Sequence, residues 1–245
     1  MTARRTEHQY RKDLLLGIVV NEYIKTVNPV GSAFITKEYL PDLSSATIRN
    51  ILAELEEEGF LTHPHTSAGR MPTEEGYRYY VDHLMHEIQL LEDEKRKIKE
   101  EYERNLRDLE SVLDKTSEVM ADFTHYTSII SIDARPDKIF CKGTSYIVEY
   151  PDPQDVQKIR SILEAIEKKE QILEVINRQL RHRIEIYIGH EIALSDVENC
   201  SLVVSSYKAP KGMSGRIAIL GPTRMNYQKV VSALDYFSDL MEEML

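Results

Sequence analysis

The chain has 245 residues, 29% charged and 42% hydrophobic, with a formal net charge of −10, so it is long enough for two domains with real cores. No stretch approaches the ~20 apolar residues that span a bilayer, and the basic opening MTARRTEHQYRKD leads into no signal-peptide core. The only cysteines, Cys141 and Cys200, fit no metal or redox spacing, so the expectation is a cytoplasmic protein with reduced thiols.

The first helix is expected from about Thr6 to Thr26, where Leu14, Leu15, Ile18, Val19, Tyr23 and Ile24 recur at helical spacing. Asn28-Pro29 stops it. Val30-Gly31-Ser32 restarts the chain, with Ser32 read as the cap of a short helix carrying Ala33, Phe34, Ile35 and Tyr39. Leu40-Pro41-Asp42 closes that helix. The next stretch, SSATIRNILAELEEEG, has Ser44 or Ser45 as cap, a buried stripe of Ile48, Ile51, Leu52 and Leu55, and Gly59 as the left-handed stop. The segment FLTHPHTSAGRMP then reads as a β-hairpin, with Pro64 and Gly69 in its turn.

Three short helices followed by a polar hairpin suggest a winged helix-turn-helix. In such folds the front of the third helix meets base edges. Ser44, Ser45, Thr47, Arg49 and Asn50 are the candidates there, with arginine suited to guanine and asparagine to adenine. His63, His65, Thr66, Ser67 and Arg70 on the hairpin are candidates for phosphate or sugar, and Arg4, Arg5 and Arg11 on the basic N-terminus are further DNA-binding candidates. Taken singly these are weak signs, since Ser-Ser-x-Thr is first a helix cap and a lone arginine is usually solvated. The combination is more specific. The acidic total does not exclude DNA, because screening limits charge effects to ~8–10 Å and local distribution decides. The acids gather instead at Glu54 to Glu58, of which Glu56, Glu57 and Glu58 are expected to point away from the duplex, and between Glu87 and Glu110.

Thr73 is expected to cap a helix containing Gly76, Tyr77, Tyr80, Val81, Leu84 and Met85, with the tyrosine cluster as core. From Ile88 onward, Ile98, Tyr102, Leu106, Leu109, Leu113 and Met120 mark an amphipathic helix with a charged outer face. It reads either as a linker lying on its own domain or as a dimer seam, and the two-fold symmetry of inverted-repeat sites favours the seam. Thr127 to Ile132 reads as a strand. A helix follows near Pro153 with Val156, Ile159, Ile162, Leu163 and Ile166, and another over about Ile172 to Leu180. Arg183 to Ile188, Leu202 to Val204 and Arg216 to Leu220 are further strands, the last two joined by KAPKGMSG. An amphipathic helix from Asn226 to Met244 closes an α+β domain with an antiparallel sheet.

No phosphate-binding loop, dinucleotide fingerprint or zincin motif is present, so no catalytic residue and no cofactor is expected. His83 and His86 share a helix face without further ligands at metal spacing. His182 and His190 flank a strand and read as structural.

The runs GSAFITKEYL and LSSATIRNILAELEEEGFLTHPHTSAGRMPTEEGYRYYVDHLM resemble the heat-inducible transcription repressor family HrcA. A second match, ENCSLVVSSY with GRIAILGPTRMNYQKVVSALDYFSDLMEEML, resembles the end of that family's GAF-like domain. Between SIISID and IFCKG only Ala134 to Lys138 remain, where family members carry the first part of the GAF-like domain and an inserted dimerising domain. The resemblance implies a homodimer that represses chaperone operons from an inverted-repeat operator in double-stranded DNA and is released on heat stress. It also implies chaperonin as a partner that helps restore the active form. The expected organisation is a winged-helix domain over 1–86, a linker or dimer helix over 87–125 and a GAF-like regulatory domain over 126–245. The rival reading is a metabolite-responsive regulator whose GAF-like domain binds a small ligand.

Overall fold

Residues 2–65, 68–86, 89–102, 109–149, 163–164, 166, 169–194, 200–208 and 212–244 are described by the computed structural model. They fall into a unit over Met1–His86 and a second over Glu87–Leu245.

In the first unit α1 (Thr2–Thr26) buries Leu15, Leu16, Ile18, Val19 and Val20. It ends at Thr26, ahead of Asn28-Pro29. Then come α2 (Ser32–Glu38) and α3 (Ser45–Glu57). Ser32 does not cap α2 as expected. Gly31 holds the cap position without a side-chain bond, and the Ser32 hydroxyl pairs with that of Ser45 at 2.9 Å, tying the front of α2 to the front of α3. Ser44 caps α3, and Ile48, Ile51, Leu52 and Leu55 are all buried along one stripe. Burying such a side chain contributes roughly 1.5–3 kcal/mol, so this stripe anchors α3. Gly59 follows at φ +84°, the left-handed residue that turns the chain out of the helix.

Two short strands come next, β1 (Leu61–Thr62) and β2 (Met71–Pro72), antiparallel with Leu61 opposite Pro72. The hairpin is fastened to the segment before α2 by a bridge in which Val30 and Arg70 exchange backbone bonds of 2.8 and 2.9 Å. Thr73 caps α4 (Glu74–Tyr79), accepting from the Gly76 amide, and the helix runs on as a π turn to Leu84. Tyr77 and Tyr80 are buried, as core tyrosines should be.

In the second unit the single amphipathic helix expected from residue 88 to 120 is two helices, α5 (Glu92–Tyr102) and α6 (Leu109–Thr124). Lys115 Nζ lies 3.4 Å from Glu101 Oε2. On one straight helix these residues would be separated by about 20 Å along the axis, so the chain reverses between them. The stripe expected to form a dimer seam is buried within this unit at Ile98, Leu113 and Met120. The Tyr236 hydroxyl also donates to the Lys95 carbonyl at 3.2 Å.

The sheet comprises β3 (Thr127–Ile132), β4 (Arg135–Lys142), β5 (Ile184–Ile188), β6 (Cys200–Lys208) and β7 (Ser214–Pro222). Its order is β4-β3-β7-β6-β5, with every neighbouring pair antiparallel. Successive side chains alternate faces. Ser128, Ser201 and Ser205 meet α6 and the last helix, α8 (Tyr227–Met244), through Ser117, Tyr227 and Ser238. On the other face Ile129, Leu202, Val204, Ala218 and Leu220 pack against Ile172, Val175 and Ile176 of α7 (Lys169–Ile176). The sheet is thus covered on both sides, which is why all six residues of β3 are buried.

Edge strand β4 was not anticipated. Only Asp133 and Ala134 separate it from β3, at the place where the resemblance implies an insertion. The helix expected around Pro153, with Val156, Ile159 and Ile162, lies largely outside the described residues. Leu163 and Ile166 are helical, with Ile166 packed against the α7 side of the core.

Candidate nucleic-acid interface

The front of α3 is built by local chemistry. Ser44 in extended conformation turns its Oγ to the Thr47 amide at 3.0 Å and to the Thr47 hydroxyl at 2.8 Å. An N-cap of this kind is worth ~0.5–2 kcal/mol. Ser44 and Thr47 are therefore engaged in ending the helix, and Ser45 in holding α2. Ala46, Arg49 and Asn50 face solvent. Among the described residues Arg49 has no carboxylate partner, so its guanidinium is available to an incoming group.

The acidic rear of α3 is engaged by cations of α1 and the hairpin. Glu54 Oε2 pairs with His8 Nε2 at 2.8 Å and with Lys12 Nζ at 3.0 Å, and Lys12 reaches Glu58 at 2.5 Å. Lys12 is only 8% exposed. The hydrogen bond from His8 and then that from Lys12 hold the Glu54 carboxyl below its usual range. The bond to Glu58 raises the Lys12 pKa against the opposing effect of burial. A hydrogen bond from Tyr39 likewise lowers the buried Glu22 carboxyl, and the Tyr39 phenol is pushed up to about 12.

Glu56 faces the hairpin. Its carboxylate takes Arg70 Nη2 at 2.8 Å through one oxygen and His63 Nδ1 through the other. Arg70 Nη1 points at the Ala68 carbonyl at 3.4 Å, and its buried Nε has no partner. The structure therefore brings together His63 and Arg70, which were both candidate phosphate contacts, on one internal acid. Beside them is a groove of about 420 Å³ between the start of α2, α3 and the segment 68–70, with Arg49 on its lining as well as Arg70. Gly69 makes the closure of this wall possible. A Cβ there would fall 2.5 Å from the Val30 carbonyl carbon and 2.7 Å from the Pro29 oxygen.

The other candidates are dispersed. His65 is exposed on the hairpin. Arg11 pairs with Glu7 one turn earlier at 2.6 Å. Arg4 and Arg5 belong to the start of α1, and their side chains lie outside the described residues, as do Thr66 and Ser67 entirely. Sequence reasoning missed the roles of His8, Lys12, Glu54 and Glu56. One signal was legible: Lys12 stands four and seven residues before Leu16 and Val19, a cation on an apolar helix face. Among the described residues no group of three or more His, Cys, Asp or Glu is placed to hold a metal, and no helix is long and apolar enough to cross a membrane.

The family described as HrcA protein C terminal domain matches residues 85–231. The heat-inducible transcription repressor HrcA of Geobacter sulfurreducens is 27% identical over 338 residues, covering 98% of this chain and 99% of that protein. The protein of the same name from Pelotomaculum thermopropionicum is 28% identical over 334 residues, covering 96% of each. Both alignments are longer than the 245 residues present, so they contain positions that this chain lacks. A crystal structure of a hypothetical protein solved at 2.2 Å has a similar fold, with a TM-score of 0.73 at 18% identity over 95% of this chain and 96% of that one.

Proposed function

The chain belongs to the HrcA family, and from that premise we propose that it is a cytoplasmic, sequence-specific DNA-binding repressor of heat-shock chaperone operons. Residues 1–86 are its winged helix, 87–125 its connecting helices and 126–245 its GAF-like regulatory domain. It acts as a homodimer on an inverted repeat in duplex DNA, since a two-fold site calls for a two-fold protein. It is not an enzyme. Chaperonin is the partner that helps restore its active form after heat.

The observation that carries the reading is the division of labour along α3. Arg49 and Asn50 stand exposed at its front, while the acids behind them are held by α1 and the hairpin. Negative charge that would repel a duplex is thereby locally neutralised. Arg49 and Asn50 are the base readers, and His65 with the N-terminal arginines supplies backbone contacts. Domain stability of only ~5–15 kcal/mol varies with temperature, so warming alone can release the operator without a ligand.

The test is binding of the purified protein to an inverted repeat from upstream of a chaperone operon and to a scrambled duplex, at fixed salt, through a temperature ramp. Specific binding that is lost on warming supports the whole proposal. Specific binding that ignores temperature keeps the DNA role and moves the signal to a ligand or to chaperonin. Equal affinity for both duplexes rejects sequence-specific repression.

A further inference from the structure

We propose that Glu56 is a built-in competitor for the DNA backbone: its carboxylate occupies Arg70 and His63 in the free protein and yields them to a phosphate on docking. The proposal rests on the DNA-binding reading above and concerns how that surface is restrained. Glu56 stands on α3, two turns behind the exposed Arg49, and reaches both hairpin cations with its two oxygens. A phosphate presents the same chemistry to the same donors, since it also bridges a guanidinium and an imidazole through separate oxygens. The pair is reachable: the Arg70 and Glu56 side chains retain 19% and 25% exposure, and Arg70 borders the groove beside α2. Arg49 and Arg70 are the only charged residues in the described lining of that groove. Arg70 also keeps an unused donor, its buried Nε.

The consequence is electrostatic. With Glu56 in place its carboxylate offsets the Arg70 guanidinium it pairs with. The pair adds nothing to long-range attraction until a correctly seated duplex offers a replacement acceptor. Non-specific affinity, which depends on counterion release by free cations, is held down. Contacts made after docking are unaffected.

The experiment compares the full chain with its Glu56→Gln variant on a scrambled duplex over a range of salt. Glutamine keeps the shape and frees one positive charge. The slope of log affinity against log salt should steepen by about 0.9, and binding at ~50 mM salt should tighten on the order of tenfold. Neither change should appear in an Arg70→Gln background, nor for Glu57→Gln, an exposed neighbour outside the cluster. If Glu56 were only a strut, Glu56→Gln would weaken binding with the slope unchanged, and the proposal would fall. As a second readout on unaltered protein, the His63 ring nitrogen signals should move as duplex is added and the Glu56 bond is lost. Signals that stay still while the duplex binds overturn it equally. A wild-type chain that binds no duplex at low salt removes the DNA reading itself, whereas wild-type binding with an unchanged slope in the variant removes this inference alone.

Discussion

Replacing Lys12 by Met tests whether the acid run of α3 is wired to α1. Methionine preserves the apolar stem of the lysine and removes only the ammonium. Lys12 is 8% exposed, yet its partners Glu54 and Glu58 keep side-chain exposures of 40% and 45%. Removing one member of a fully buried ion pair costs ~3–5 kcal/mol, and losing a surface pair ~0–1 kcal/mol. Here the orphaned carboxylates regain water, so the cost falls between, at about 1–2 kcal/mol. That corresponds to roughly 5–30-fold faster opening of α1 and α3, which amide hydrogen exchange resolves locally without assuming that both units unfold together. The sign with pH is fixed by Glu54. Its carboxyl is lowered first by His8 and next by Lys12. The stabilisation is therefore present above the unfolded carboxylate pKa and disappears as pH falls through the lower folded value. The penalty of Lys12→Met should shrink over that acidic window. Protection factors altered less than twofold at neutral pH, or altered equally at both ends, would refute the reasoning.

Arg49→Ala should leave folding within ~0.5 kcal/mol, because the side chain is exposed. It should weaken operator binding by ~1–3 kcal/mol with little effect on scrambled DNA, and an equal loss on both duplexes would make Arg49 a phosphate contact. Ser44→Ala should cost ~0.5–2 kcal/mol and speed exchange at the front of α3, whose Thr47 amide loses its acceptor; unchanged exchange would show that the cap is not limiting there. Gly69→Ala should destabilise the first unit by ~1–3 kcal/mol, because the added methyl meets fixed backbone at Pro29 and Val30. Wild-type protection of the Val30 and Arg70 amides in that variant would contradict this.

What the sequence disclosed followed from how local each signal was. The α3 stripe and its cap depend on residues within one helix, and both stand where the pattern put them. The assignment of Ser32 failed for the same reason in reverse: its hydroxyl is taken by Ser45, thirteen positions away, which no local window registers. The ties from His8 and Lys12 to Glu54 span more than forty residues and left only the odd placement of Lys12 as a trace. In the second unit β6 and β7 were legible as apolar runs, whereas β4 contains Pro136, Asp137 and Lys138 and reads as a loop. An edge strand tolerates such residues because one side has no partner strand. The long amphipathic stripe was correctly apolar but silent about its reversal, since both a straight helix and a helical hairpin repeat every three or four residues.

The reversal bears on the proposed homodimer. Ile98, Leu113 and Met120 of the stripe are buried inside their own unit, so these three positions are not free to form a seam. The insertion that the family resemblance implies is not available either, because the chain crosses from β3 to β4 through Asp133 and Ala134. That short crossing is compatible with the same sheet in longer relatives. Each doubling of a flexible loop costs only ~0.6 kcal/mol, so even a long insertion adds a closure penalty that the paired strands can absorb. The β3–β4 register from Ser128–Lys142 to Ser131–Ile139 needs nothing from an insertion to form. An element the sheet does not need for folding is free to be gained or lost with the assembly it serves. The proposed two-fold of this chain would therefore use a surface other than such an insertion, and the half-site spacing that surface sets is to be measured rather than carried over from longer relatives.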